Sequence, residues 1–285
     1  MNLMLGIMFG IFSMFGFGVA NYLLSIASRS IGALRAAFWY ELLAALLLAI
    51  LALFLFSGTG INTTTVCEIL LASLLSATAV LSFSKGVRIG NVEAVTTVSC
   101  AYGAVAAVLG FVLLDEKLAP LQMLCIGLIV VGTIVVSFRP RTKGARGRNA
   151  LGIEYALLAM ACWGGWSVLI GLLVKEMGWF TAALLTTVST PVFLLAYAVL
   201  AGEGMAIKRR SLPLIAALAA ISAATLIAFN LGLTYSYVDI VTPIAAASPA
   251  VTIVLALAFL KDRLSLNQKA GIALIIVSLV ALAAA

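Results

Sequence analysis

Long apolar stretches alternate with short polar or basic connections along the whole chain. A helix of about 20 apolar residues is enough to cross the hydrocarbon layer of a bilayer. The pattern predicts ten such spans, at residues 3–28, 36–56, 65–84, 92–114, 119–138, 150–174, 179–201, 212–235, 239–260 and 267–285. The first is too long for a signal-peptide core and has no basic region before it, so it reads as a permanent helix. Most connections leave no room for a soluble domain. One linker has loop chemistry, the Pro-, Gly- and Arg-rich stretch at 139–148 in the middle of the chain.

Composition narrows the class further. Hydrophobic side chains make up 64% of the 285 residues and charged ones 9%, where a soluble domain carries about a quarter charged. A water-soluble fold is excluded, and the reading is an all-α polytopic membrane protein with the lipid bilayer as its partner. With no histidine, the chain has no imidazole to act as ligand, base or sensor near neutral pH. Cys67, Cys100, Cys125 and Cys162 stand singly in apolar surroundings, without metal-site or disulfide spacing, and read as small core residues. No metal and no cofactor are expected.

The net charge of +7 is concentrated in particular connections. Arg29, Arg35, Lys85, Arg88, Arg139, Arg141, Lys143, Arg146, Arg148, Lys208, Arg209, Arg210, Lys261, Arg263 and Lys269 all fall in the odd-numbered ones. They are 15 of the 17 basic residues, and only Lys117 and Lys175 lie on the other side. This is a topology signal rather than a nucleic-acid footprint, so no nucleic-acid partner is expected. Cytoplasmic loops carry the Lys/Arg excess, which puts the odd loops inside and both termini outside a prokaryotic cytoplasmic (inner) membrane.

Shifted by 146 residues, the sequence aligns with itself. Leu5-Gly6-Ile7 meets Leu151-Gly152-Ile153, and Gly18, Gly32, Phe83 and Gly86 meet Gly164, Gly178, Phe229 and Gly232. Thr96 meets Thr242, Glu116 meets Asp262, and Gln122 meets Gln268. Each half holds five spans, an odd number, so the second is inverted relative to the first. The expected organisation is a five-helix repeat at 1–139, a basic linker at 140–148 and an inverted five-helix repeat at 149–285. Inverted repeats build carriers that alternate between two open states around a midplane site.

Trp163-Gly164 early in the second half, Phe17-Gly18 in the first, and Pro249 ahead of Asp262-Arg263-Leu264 resemble the drug/metabolite transporter superfamily. The similarity is to its ten-helix members built of two EamA repeats. Glu116-Lys117-Leu118 fits the same pattern, with Gly103 where the first repeat's proline would fall. The resemblance implies two inverted five-helix repeats around a central cavity, with spans five and ten at the periphery, and export or exchange of small metabolites. Gly103 joins Pro191, Pro243 and Pro249, which free backbone carbonyls inside spans seven and nine, as candidate hinges.

Polar and aromatic groups halfway along a lipid-immersed helix are costly unless they meet each other or line a wet cavity. The midspan inventory is Asn21 on span one, Thr96, Ser99 and Tyr102 on span four, Trp163, Trp166 and Ser167 on span six, Asn230 on span eight, and Thr242, Ser248 and Thr252 on span nine. Asn21/Ser167, Thr96/Thr242 and Tyr102/Ser248 are repeat partners. This set carries no formal charge, which favours a neutral, zwitterionic or cationic ligand over a sugar-phosphate or nucleotide-sugar. Glu93 and Asp239 read as helix-start groups, Glu116 and Asp262 as boundary groups, and Glu68 and Glu154 as surface-reaching ones. Glu41, five residues into span two, reads either as a snorkelling partner of Arg35 beside the interface aromatics Trp39 and Tyr40, or as a coupling or gate carboxylate for protons. Gly6-x-x-x-Gly10 and Gly86-x-x-x-Gly90 read as helix-packing signals.

The function expected is a secondary active exporter of a small metabolite such as an amino acid, working by alternating access and not as an enzyme. Its alternatives are a passive facilitator or a sugar-phosphate or nucleotide-sugar exchanger. The charge count yields a direct test. In a cysteine-free background, Gly144→Cys should resist membrane-impermeant thiol reagent in intact cells; ready labelling there reverses the orientation.

Overall fold

The computed structural model describes residues 2–56, 62–90, 92–114, 118–137, 148–252 and 266–284. Helix α1 spans Leu3–Ile31, α2 Ala33–Leu55, α3 Thr63–Ile89, α4 Val92–Cys100, α5 Tyr102–Leu113 and α6 Pro120–Ser137. After the linker come α7 at Arg148–Met177, α8 at Trp179–Ala201, α9 at Leu212–Tyr235, α10 at Val238–Ala246 and α11 at Leu266–Ala284. Among the described residues there is no strand, and seven helices are long and apolar enough to cross a membrane. Three shorter apolar helices lie at Pro120–Val135, Val238–Thr252 and Lys269–Ala283. The chain is a multi-pass membrane protein.

Where helices turn, the sequence supplies the local chemistry. The Asn2 and Asn62 side chains accept the backbone N–H groups of Leu5 and Thr65 at 3.3 and 2.8 Å, capping α1 and α3. Gly32 and Gly178, 146 residues apart, each join two helices through a single residue with φ of +101° and +83°. L-residues rarely adopt that conformation, so glycine is required at both turns.

Span four is broken. Helix α4 ends at Cys100 and α5 starts at Tyr102, with Ala101 at ψ near 0° donating to Val98 O and accepting from Ala104 N. The break therefore falls two residues before Gly103. Gly103 sits where α5 meets α10, and a Cβ there would come within 2.7 Å of the Ala246 Cβ and 3.0 Å of the Pro243 Cα. Span nine breaks at the equivalent place, Ala247–Ser248, before helix resumes at 249–252. Pro249 has no N–H to offer the Ala245 carbonyl, which accepts from Ser248 N instead at 3.2 Å. Pro191 and Pro243 lie inside the continuous helices α8 and α10.

Packing between the halves follows the 146-residue shift. Helix α1 packs on α9 as α3 packs on α7, and α4 on α7 as α10 on α1. Asn2 N donates to Tyr235 O at 2.9 Å, so α1 starts where α9 ends. Likewise α3 ends where α7 starts. A Cβ on Gly90 would stand 3.0 Å from the Gly152 Cα, and one on Gly152 would stand 2.9 Å from the Gly90 Cα. The partners of that pair, Ser236 and Gly6, also meet. Gly86 faces Val95 just as Gly232 faces Val241. Small residues let these backbones approach where lipid offers no hydrophobic drive for association. Helices α6 and α11 pair with each other, turning Leu124, Val131, Ile276 and Val277 outward.

Basic residues near the helix ends contact distant parts of the chain. Arg29 Nε donates to Val87 O at 3.1 Å, Arg35 Nε donates to Gly204 O at 2.7 Å, and the Lys85 ammonium lies 6.0 Å from the centre of the Tyr155 ring. Asp239 is fully buried in the first turn of α10, where Gly110 leaves room for its carboxylate. Cys100, Cys125 and Cys162 are buried, but Cys67 is exposed on α3 and is no core residue. Glu116, Lys117, Asp262, Arg263, Leu264 and the Glu93 and Gln268 side chains lie outside the described residues.

The α3–α7 approach predicts that Gly152→Val lowers the thermal midpoint in detergent by several degrees, since overpacking a tight contact costs ~1–3 kcal/mol. Gly127→Ala on α6, where a Cβ meets nothing within 4 Å, should leave it unchanged. Equal midpoints for the two variants would contradict the close approach.

Candidate functional site

A cavity of about 100 Å³ lies between the helices near the middle of the bundle. Its walls follow helical spacing: Phe17, Ala20, Asn21 and Leu24 share one face of α1, Tyr40, Glu41 and Ala44 one face of α2, and Ser76 and Val80 one face of α3. From the second half come Trp163 and Trp166 of α7, Thr186, Thr187 and Thr190 of α8, and Leu218, Ser222, Ala223 and Leu226 of α9. Tyr102 and Ser248 complete the lining from the breaks in spans four and nine.

Most of the polar lining falls into pairs 146 residues apart: Ser76 with Ser222, Tyr102 with Ser248, Tyr40 with Thr186, and Glu41 with Thr187. The aromatic wall follows the same rule. Trp163 lies 5.4 Å from Phe83 between ring centroids, and Phe17 lies 6.0 Å from Phe229. Phe83 and Phe229 are fully buried, so each anchors a ring that faces the cavity. Trp163 also leans on Tyr102 at 5.9 Å, and Trp166 stacks on Phe229 at 5.5 Å.

Polar groups differ in what they offer a ligand. Thr186 and Thr190 donate their hydroxyl protons to the carbonyls of Ala182 and Thr186 at 2.7 and 2.8 Å, leaving oxygen lone pairs free to accept. Among the described residues no hydrogen-bond partner reaches the side chains of Asn21, Ser76, Thr187 or Ser222. Glu41 Oε1 accepts from the Tyr40 hydroxyl at 2.7 Å. Glu41 is the one carboxylate among the described lining residues, which hold no Lys or Arg.

The expected site residues divide into two sets. Asn21, Tyr102, Trp163, Trp166, Ser248 and Glu41 line the cavity; Thr96, Ser99, Ser167, Asn230, Thr242 and Thr252 do not, and all but Thr252 are buried in the packing. Ser99 Oγ donates to Ala156 O at 3.4 Å, Thr252 Oγ1 to Gly18 O at 2.9 Å, and Asn230 Nδ2 to Trp179 O at 3.1 Å. These bonds tie helix to helix. Ser167 Oγ donates to Trp163 O within α7 at 2.8 Å.

Glu41 does not pair with Arg35, whose guanidinium donates to the carbonyls of Gly204 and Ile31. Helix α2 begins at Ala33, three residues before the expected start at 36. That puts Glu41 about 12 Å from the helix start at 1.5 Å per residue, in the wall of the cavity. The two aromatics before it separate. The Trp39 indole N–H donates to Met205 O at 2.7 Å in the connection before α9, while Tyr40 turns inward and is buried.

Sequence reasoning missed Tyr40, Ser76, Thr186, Thr187, Thr190 and Ser222. The Thr-Thr-x-x-Thr spacing at 186–190 places three hydroxyls on one helical face, and Ser76 and Ser222 hold the same position in the two halves. Both signals were present in the chain.

The model of the EamA-like transporter family matches residues 4–138 and again 150–284. The chain belongs to the EamA-like transporter family. Comparison with curated proteins finds no match. Among solved structures, one crystal structure is similar over 95% of this chain and 97% of its own, with a TM-score of 0.73 at 13% identity. At that identity the likeness speaks for the fold. Every described residue that lines the cavity of this EamA-like transporter falls within the two matched segments.

Asn230 gives the sharpest contrast between glue and lining. Asn230→Ala removes the bond from α9 to the Trp179 carbonyl and should lower stability by about 0.5–1.5 kcal/mol, the net worth of one hydrogen bond, with ligand affinity unchanged in the folded fraction. A selective loss of affinity at normal thermal stability would return Asn230 to the site.

Proposed function

We propose that this EamA-like transporter is a secondary active carrier of a small neutral, zwitterionic or cationic metabolite, and that it works as an exporter. In this reading ten transmembrane helices form two inverted halves, 1–139 and 149–285, joined by the basic linker 140–148, with both termini outside the cell membrane. The observation that carries it is the pairing of cavity-lining positions 146 residues apart, with helix breaks at Ala101 and at Ala247–Ser248 beside the lining residues Tyr102 and Ser248. Two halves that contribute equivalent walls to one central cavity can exchange conformations, opening it first to one face and then to the other. Interrupted helices at membrane depth are tolerated where they are buried in protein or line a wet cavity.

A sugar-phosphate exchanger would call for Lys or Arg against the dianion, and the described lining offers none. Glu41 is the group at which a proton would be exchanged. The other titratable side chains described in the lining are the Tyr40 and Tyr102 phenols, and α1, α3, α8 and α9 face Glu41 with amide, hydroxyl and apolar groups.

Counterflow in proteoliposomes separates a carrier from a passive pore. Unlabelled solute loaded inside should accelerate entry of the labelled solute several-fold above empty vesicles, and rates indifferent to loading would favour the facilitator. Trp163→Ala should raise the half-saturating concentration about tenfold, equivalent to roughly 1.4 kcal/mol. Glu41→Gln should abolish the response of flux to an imposed pH gradient while downhill exchange persists. An unaltered pH response would remove Glu41 from coupling.

A further inference from the structure

The cavity is asymmetric in charge, and this narrows the ligand. We propose, building on the carrier reading above, that the site takes a small organic monocation, with the ligand's ammonium held against the Glu41 carboxylate and among the surrounding aromatic faces. Glu41 Oε1 is engaged by the Tyr40 hydroxyl at 2.7 Å, and no hydrogen bond among the described residues reaches Oε2. A carboxylate inside a membrane span needs a partner of opposite charge or water around it. No Lys or Arg stands in the described lining. The basic residue nearest along α2, Arg35, is committed to the Gly204 and Ile31 carbonyls. The empty partner position beside Glu41 is thus a place for a cation that enters and leaves.

The rest of the wall suits the same charge. Phe17, Tyr40, Tyr102, Trp163 and Trp166 bring five aromatic rings to one small cavity, and the negative face of a ring attracts an ammonium. Thr186 and Thr190 spend their protons within α8, so towards the cavity they present acceptors, which match N–H donors. The repeat partner of Glu41 is Thr187, leaving the carboxylate uncompensated and on one side only. A zwitterion would bring a second carboxylate to this wall, and the N-terminus of α5 at Tyr102 is the competing feature that would have to receive it.

The test varies charge on a fixed skeleton. Purified full-length protein in detergent is titrated by calorimetry with phenethylamine, phenylalanine, 2-phenylethanol and 3-phenylpropionate, and with isopentylamine, leucine and isopentanol as an aliphatic series. In at least one series the amine should bind saturably and at least tenfold tighter than its zwitterion, alcohol or acid. Glu41→Gln should cost the amine tenfold or more. Tyr40→Phe, which keeps the charge, should retain the amine preference. Should Glu41→Gln not fold, the order of affinities on the native chain and Glu41→Asp decides. Absence of saturable amine binding, equal or tighter binding of phenylalanine or leucine, or undiminished amine affinity in a folded Glu41→Gln protein would overturn the proposal. Counterflow with the same probes keeps the two readings apart. Counterflow of a zwitterion without amine binding would sink the cation assignment and leave the carrier intact, whereas tight amine binding with no counterflow of any probe would sink the carrier and leave the cation site.

Discussion

Hydrocarbon offers no hydrogen bonds to a peptide group, and the architecture follows from that constraint. Each backbone N–H and C=O within the membrane has to be satisfied by the chain itself, so the apolar runs become helices, and every interruption needs a local remedy. Helix is interrupted within 92–113 and within 238–252. At Ala101 and again at Ala247–Ser248 the remedy is a tighter turn, with i→i+3 bonds such as Ala101 N to Val98 O and Ser248 N to Ala245 O. Tyr102 and Ser248, at these two breaks, turn towards the same cavity. Irregular backbone and polar lining thus occur together.

Small residues make the cavity compatible with tight packing around it. Gly6, Gly90 and Gly152 bring α1 against α9 and α3 against α7 at distances that side chains would prevent. Large apolar side chains also face outward, as at Phe54, Val199 and Leu200. The interior combines buried Ala, Ser and Thr with buried Leu, Ile and Val, such as Leu48, Ile170 and Ile244, and a few aromatics. Among the described residues Phe83 and Phe229 fix rings on the two sides of the cavity, and the same 146-residue relation governs both the anchors and the rings they hold. Symmetry therefore sets the shape of the cavity, while Glu41 opposite Thr187 breaks it in charge.

Much of this was legible in the chain. The membrane class, the repeat register and the family resemblance follow from residue order, and Tyr102 and Ser248 were found as repeat partners without coordinates. The facing of each polar residue was not. Asn230 and Asn21 look alike in sequence, yet one bonds the Trp179 carbonyl between helices and the other opens into the cavity. Hydropathy has little power to tell them apart, because a helix in a bundle turns polar groups towards neighbours and cavities alike. Tyr40 beside Trp39 reads as an interface pair, but a 100° step per residue sends one ring to the Met205 carbonyl and the other inward. Glu41 reads from sequence either as a snorkelling group or as a gate carboxylate, and its place in the cavity wall depends on the facing of α2. Thr186, Thr187 and Thr190 drew no attention in sequence, and two of them also bond within their own helix.

The central claim is that one cavity, walled by equivalent positions of both halves, is reached alternately from the two faces of the membrane. Ser76 and Ser222 stand for those walls, as repeat partners on α3 and α9. In a cysteine-free background, Ser76→Cys and Ser222→Cys can each be challenged with impermeant thiol reagent in right-side-out and in inside-out vesicles. The account predicts that both positions react from both sides and that a bound ligand slows both reactions. Labelling from one side alone, or no labelling at either position, would contradict it.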